Sequence, residues 1–294
     1  MLMRPASETQ ITHLARLWLY VVAGLVMLFL ILPVFVVIPM SFSDSRFLRF
    51  PPEGLSLRWY YSYLQSPEWL RATWVSFKVA TLTTLVATPF GIAAAYGLHV
   101  SNVRFARVLT IALISPLIIP VIILGVGVFY LYVKLDMVNT ITGLVLAHTI
   151  LAIPFVVVTV SSGLQQYDLN QELAARSLGA SRLTAFRTVT LPQIKGSIVA
   201  GSLFAFITSL DEVVIALFIS GGQNTTLTRR MFTGLRDEID PTIAAISSLL
   251  IVLSVMLLLI LVMTVERQPL CPRATTILAG FQAAEVGVLF GFSG

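Results

Sequence analysis

Six long apolar stretches recur along the chain, and most of the charge falls between them. A helix rises about 1.5 Å per residue and the hydrocarbon core is about 30 Å thick, so about 20 apolar residues suffice for one crossing. On that measure the pattern predicts spans at about 17–41, 73–98, 107–133, 141–163, 193–220 and 242–265. The first, LWLYVVAGLVMLFLILPVFVVIPMS, is longer than the apolar region of a secretory signal and lacks a clear A-x-A site, so it reads as a span. Segment 42–72, with FPPEGLSLRWYYSYL, predicts a short helix in an interfacial aromatic belt, and it also offers a docking surface for an external partner. The weakly apolar, glycine-rich stretch 266–294 predicts a poorly ordered or surface-lying cytoplasmic tail.

Composition agrees with this pattern. Only 11% of residues are charged and 57% are hydrophobic, against about 25% charged in a soluble domain, which makes this an integral membrane protein. The net charge of +5 fits cytoplasmic loops of a membrane protein better than a nucleic-acid surface. The one cysteine, Cys271, excludes an intramolecular disulfide and a cysteine metal site. His13, His99 and His148 are far apart and read as structural, so no metal site is expected.

Basic residues set a direction. Arg4 and Arg16 precede the first span, Arg104 and Arg107 join the second to the third, Arg176, Arg182, Arg187 and Lys195 lie between the fourth and fifth, and Arg267 and Arg273 follow the sixth. Placing these on one side puts both termini in the cytoplasm.

The segment between the fourth and fifth spans, about 165–192, is too basic for hydrocarbon yet patterned as helix. Asp168 or Asn170 can cap a first helix that ends at Gly179. Ser181 can cap a second, RLTAFRTVT, and Pro192 suits the first turn of the fifth span. The expected unit is a helix–turn–helix on the cytoplasmic face, with small residues admitting another body and arginines at its rim.

This segment resembles the cytoplasmic EAA loop of permease subunits of binding-protein-dependent ABC importers. That pattern is E-A-A, three residues, Gly, nine residues, an aliphatic residue, one residue, then Leu-Pro. Here Leu173, Ala174 and Ala175 are followed at the right spacings by Gly179, Val189, Leu191 and Pro192. The pattern's glutamate is Leu173 here, and Glu172 lies one residue earlier, turned by about 100° on a helix. The resemblance implies an all-α membrane protein of about six transmembrane helices, with this loop as a coupling helix seated in a separate ATPase subunit. The residues it implicates in coupling are Glu172, Ala174, Ala175, Arg176, Gly179, Ala180, Ser181, Leu191 and Pro192. There is no G-x-x-x-x-G-K-[ST] in the chain, so ATP and Mg would be bound by that partner, and no catalytic residue is expected here.

Within FAFITSLDEVVIALFISGG, Asp211 and Glu212 lie about 24 Å along the helix from Lys195, in the outer half of the fifth span. A carboxylate there costs about 2.5–3.5 kcal/mol on insertion scales, so it is expected to face the bundle interior, a water path or a partner. A cationic substrate is one counter-charge; capping a broken helix or pairing with Arg229 is another use of the same residues. Residues 209 to 254 resemble the second permease of polyamine (spermidine/putrescine) importers, and the likeness extends loosely over the first 265 residues. That resemblance implies a heterodimer with a second related permease, a periplasmic substrate-binding protein, and residence in the bacterial inner membrane amid lipid, with no nucleic acid. It makes Asp211, Glu212 and Tyr130 candidates for the substrate pathway, Tyr130 through cation–π attraction. Permeases for opines, phosphonates or iron remain open on the same pattern. A stand-alone secondary transporter does too, but it leaves the 172–192 pattern unexplained, and no clear internal repeat supports it.

Overall fold

A computed structural model describes residues 17–46, 50–101, 104–237 and 240–266. Of the predicted tail, 266–294, all but Glu266 lies outside them. The described chain is helical: α1 (Leu17–Ser41), α2 (Arg58–Gln65), α3 (Pro67–Val100), α4 (Ala106–Ile114), α5 (Val121–Leu135), α6 (Ile141–Gln166), α7 (Asn170–Ser177), α8 (Arg182–Ala185), α9 (Leu191–Gln193), α10 (Lys195–Asp211), α11 (Val214–Ile219), α12 (Leu227–Asp237) and α13 (Thr242–Glu266). Among the described residues the only extended pairing is an isolated bridge between Ser43 and Leu55. α1, α3, α6 and α13 are each long and apolar enough to cross a membrane, and two bent pairs raise the number to six if each pair is one span.

Two of the expected spans are interrupted. Within the third, expected at about 107–133, α4 gives way to a tight turn at Ser115–Leu117, and α5 starts only at Val121. Pro116 and Pro120 explain this, because neither has an N–H for the helix ladder and each ring clashes with the preceding turn. The fifth span, expected over 193–220, is likewise interrupted. α10 stops at Asp211, two residues are irregular, and α11 resumes at Val214. Pro192 is also displaced from its expected place: it belongs to the one-turn helix α9, which with the segment before it meets α10 at 77°.

The helices gather into two compact units. The first comprises the described residues from Leu17 to Leu82, Ile119–His148 and Ser209–Leu253. Its core joins Tyr63, Trp69, Ala72, Leu227, Ile243 and Ile246. Arg230 lies 4.9 Å over the Trp69 ring and pairs with Glu68, while the Leu227 N–H donates to Ser76 Oγ at 2.8 Å, so α12 is fastened to α3. The α1 helix contributes nothing to this core until its end, where the Ser41 hydroxyl donates to the Ile38 carbonyl (2.6 Å) and meets the Tyr60 hydroxyl of α2 (2.7 Å).

The second unit comprises the described residues of Thr83–Ile118, Thr149–Thr208 and those from Ser254 to Glu266. Its core is made of small and β-branched side chains: Ala87, Ala95, Ala152, Val156, Val160 and Ala205, with Leu164 and Ile194. Helix backbones approach closely where a side chain is missing, as small residues allow in membranes. A Cβ on Gly91 would stand 2.6 Å from Val156, and one on Gly163 would collide with Ser197. Gly91→Ala is therefore expected to cost about 1–3 kcal/mol by overpacking. Gly97→Ala meets nothing within 4 Å and serves as the control. Thermal unfolding of the purified chain in detergent should show a lower midpoint for the first and an unchanged or slightly raised one for the second, since alanine favours a helix over glycine; equal midpoints would mean that close packing at Gly91 is not limiting.

Candidate functional site

The 165–192 loop is built by local rules. The Asp168 carboxylate accepts the Asn170 N–H at 3.0 Å and starts α7, although the cap position itself is Leu169. At the other end Gly179 has φ +96°, a left-handed conformation that glycine adopts without strain. The Gly179 N–H donates to Arg176 O at 3.0 Å and the Ala180 N–H to Ala175 O at 3.1 Å, a Schellman closure that uses up the last carbonyls. Ser181 Oγ then accepts the Thr184 N–H at 3.2 Å and caps α8. A π-helical turn at Phe186–Thr190 leads into α9.

Glu172 is turned inward. It is 3% exposed, and its carboxylate accepts the Tyr96 hydroxyl of α3 at 2.6 Å and the Thr190 hydroxyl at 2.8 Å. The Tyr167 hydroxyl lies 3.3 Å from Thr190, the Tyr96 ring rests on Phe186 at 4.4 Å, and Gln193 reaches Gln171. The carboxylate thus joins α7, the end of α3 and the π-helical turn. What faces outward is a rim of Leu173, Leu178 (90% exposed) and Leu183 with Ala174, Arg176, Gly179, Ser181, Arg182 and Arg187. Ala175, Ala180 and Leu191 are half-buried and Pro192 is exposed. Beside the rim an apolar groove of about 560 Å³ runs between Pro89, Ile92, Ala93 and Tyr96 of α3 and Leu183, Phe186 and Leu191.

The acidic pair occupies the break between α10 and α11. Asp211 is exposed. Glu212 is half-buried, and its carboxylate accepts the Ile215 N–H at 2.8 Å, capping α11, while its carbonyl accepts the Thr228 hydroxyl at 2.9 Å. Arg229 does not pair with either acid. Its guanidinium donates to Ala216 O (3.4 Å) and Ser220 Oγ (3.3 Å) at the other end of α11, and burial pushes it below the usual arginine range. Tyr130 is exposed on α5, and among the described residues it makes no hydrogen bond to Asp211 or Glu212; its neighbour Tyr132 is buried. No cluster of three metal-ligating side chains occurs among the described residues.

Residues 87–268 match the family described as binding-protein-dependent transport system inner membrane component. The chain belongs to that family. It is 32% identical over 241 residues to the putrescine transport system permease protein PotI of Escherichia coli (strain K12), covering 80% of this chain and 85% of that one. It is 28% identical over 231 residues to the spermidine/putrescine transport system permease protein PotC of the same strain, covering 79% and 87%. Its fold matches a chain from the crystal structure of a bacterial ABC transporter involved in the import of the acidic polysaccharide alginate, with a TM-score of 0.66 at 16% identity, over 89% of this chain and 99% of that one. This protein is thus a permease subunit of an ABC importer, a multi-pass transport component of the inner membrane.

Motif reasoning located the permease loop but missed Tyr96 and Thr190, which hold Glu172. A tyrosine in the last turn of an apolar helix was the available signal. Removing the carboxylate with Glu172→Ala strands two hydroxyls, so the loop should open more often. Trypsin cleavage at Arg176, Arg182 and Arg187 in membranes should then be about tenfold faster, the factor expected for about 1.4 kcal/mol of lost hydrogen bonding, with Leu173→Ala unchanged. Equal cleavage rates would show that Glu172 does not hold the loop.

Proposed function

We propose that this permease forms half of the translocation pathway for a small cationic solute, a polyamine such as putrescine or spermidine. Two relatives named for these solutes, each matched along about four-fifths of the chain, carry the reading. The exposed carboxylate at Asp211 supports it, since an acid at a helix break is a natural counter-charge for an ammonium group. Glu212 and Tyr130 are the accompanying pathway candidates, Glu212 with its carboxylate already engaged in a cap.

In this reading the chain pairs with a second, related permease and receives substrate from a periplasmic binding protein. A separate ATPase subunit binds ATP and Mg and seats the 168–188 helices in its cleft, with both permease termini in the cytoplasm. The rim at Ala174, Arg176, Gly179 and Ser181 makes the contact with the half-buried Ala175 and Ala180 beneath it, and Leu191 and Pro192 carry the motion toward α10. Glu172 acts from inside the loop, keeping the rim in shape through Tyr96 and Thr190. Closure of the ATPase dimer moves the loop and drives the exchange between inward-facing and outward-facing states.

Radiolabelled putrescine and spermidine uptake, in cells lacking their own polyamine importers and expressing this chain with its companion subunits, tests the substrate. Uptake should require this chain and should fall at least about tenfold in Asp211→Asn if one charge-assisted hydrogen bond to the ammonium is lost. No uptake with the complex assembled would remove the polyamine assignment. In a separate measurement, Gly179→Asp should reduce the amount of ATPase subunit co-purified with the permease, because it puts a side chain on a left-handed residue at the rim. Normal co-purification and transport would place the ATPase contact elsewhere.

A further inference from the structure

His148 takes no part in the site described above. It lies mid-helix in α6, is 1% exposed, and is among the largest fully buried side chains. Its Nδ1 stands 3.1 Å from the Ser209 carbonyl and 2.8 Å from the Ser209 hydroxyl. The hydroxyl can donate or accept, but a carbonyl only accepts, so the tautomer that bonds the carbonyl carries its proton on Nδ1 and leaves Nε2 as an acceptor. Nε2 is buried with no hydrogen-bond partner. A polar ring inside an apolar helix, with one nitrogen unsatisfied, is costly to keep unless the other does something the fold requires.

What Nδ1 does follows from its partner. α10 ends at Asp211, so Ser209 is among the last four residues, whose carbonyls have no donor within their own helix. In water such a carbonyl would be hydrated. Here the donor comes from α6. On the far side of the same two-residue gap, Glu212 caps the first turn of α11, and Thr228 holds the Glu212 carbonyl. The gap is therefore braced from both sides: His148 ends the first helix, and Glu212 starts the second. Asp211, at the edge of the gap, is exposed.

We propose that His148 is a positioning residue that fixes the break between α10 and α11 by occupying the Ser209 carbonyl, and so keeps the side chain at position 211 open to water. Without that donor the Ser209 carbonyl takes the next N–H in sequence, at Val213. The helix then runs on through Glu212, and position 211 is drawn into a continuous apolar span. The role of His148 in transport rests on the reading of Asp211 as a pathway residue; its role in the break does not.

The two amide side chains separate the possibilities. Asparagine can place an N–H where the histidine Nδ1–H stands, whereas glutamine reaches one bond further, toward the position of Nε2. Both are polar and both avoid an apolar replacement in a packed site. The transporter, assembled with its companion subunits in membrane vesicles, carries Cys271→Ser and Asp211→Cys, so that a single thiol reports on the break. Water-soluble maleimides react with the thiolate, which forms only where water reaches the sulfur. Labelling at position 211 should be unchanged in His148→Asn and about tenfold slower in His148→Gln, the factor expected for loss of one hydrogen bond to a buried carbonyl. Equal rates in both, or slowing in both, overturns the proposal. With Asp211 restored, His148→Gln should raise the KM for putrescine uptake more than it lowers the maximal rate, with His148→Asn close to the parent. If labelling follows the expected pattern and the KM does not, the brace stands and the pathway reading of Asp211 is the part that fails.

Discussion

Hydrocarbon offers no water to satisfy a backbone N–H or C=O, so every helix end at membrane depth needs a partner from the protein itself. That constraint organises this chain. The end of α1 is taken by Ser41 and Tyr60, and the C-terminal end of α10 by His148. The start of α11 is taken by Glu212, and its finish by Arg229. In each case a polar side chain sits where composition alone would call it a liability. None is decoration on an apolar scaffold, because without them the helices would have to run on or end elsewhere.

The same logic explains why two carboxylates, one in the 165–192 loop and one at the break, have different chemistry from the one their motif positions imply. Glu172 reads as a contact for another subunit, but it is buried and spent on two hydroxyls of its own chain. Glu212 reads as half of an acidic pair, but it is committed to a helix cap. The exposed groups left for partners are the leucines and arginines of the loop rim and the Asp211 carboxylate. With its buried acid, the loop ties three elements of the chain together: α7, the end of α3 and the π-helical turn.

Membrane residence, the helical class and the importer loop were legible in the sequence because each rests on local pattern: runs of apolar residues, basic connections, and fixed spacings from Ala174 to Pro192. The breaks were less legible. Pro116 and Pro120 were visible, but the apolar run across them outweighed their signal, and Glu212 left both capping and substrate contact open. The partners of Tyr96 and His148 were the least legible. Tyr96 meets a residue 76 positions away and His148 one 61 positions away, and periodicity along one helix carries no information about a partner so remote.

The exposure of α1 bears on how the protein is made. Its most apolar stretch is long enough to cross a membrane and is not buried against the rest of the described chain, so that crossing does not wait for later helices to enclose it. It is complete as soon as it leaves the ribosome and can hold the nascent chain in the bilayer while the rest is synthesised. The broken α10–α11 segment has the opposite property. Its histidine donor is already made when it emerges, but the threonine that steadies Glu212 is not, so this crossing reaches its final form only after α12 has been translated.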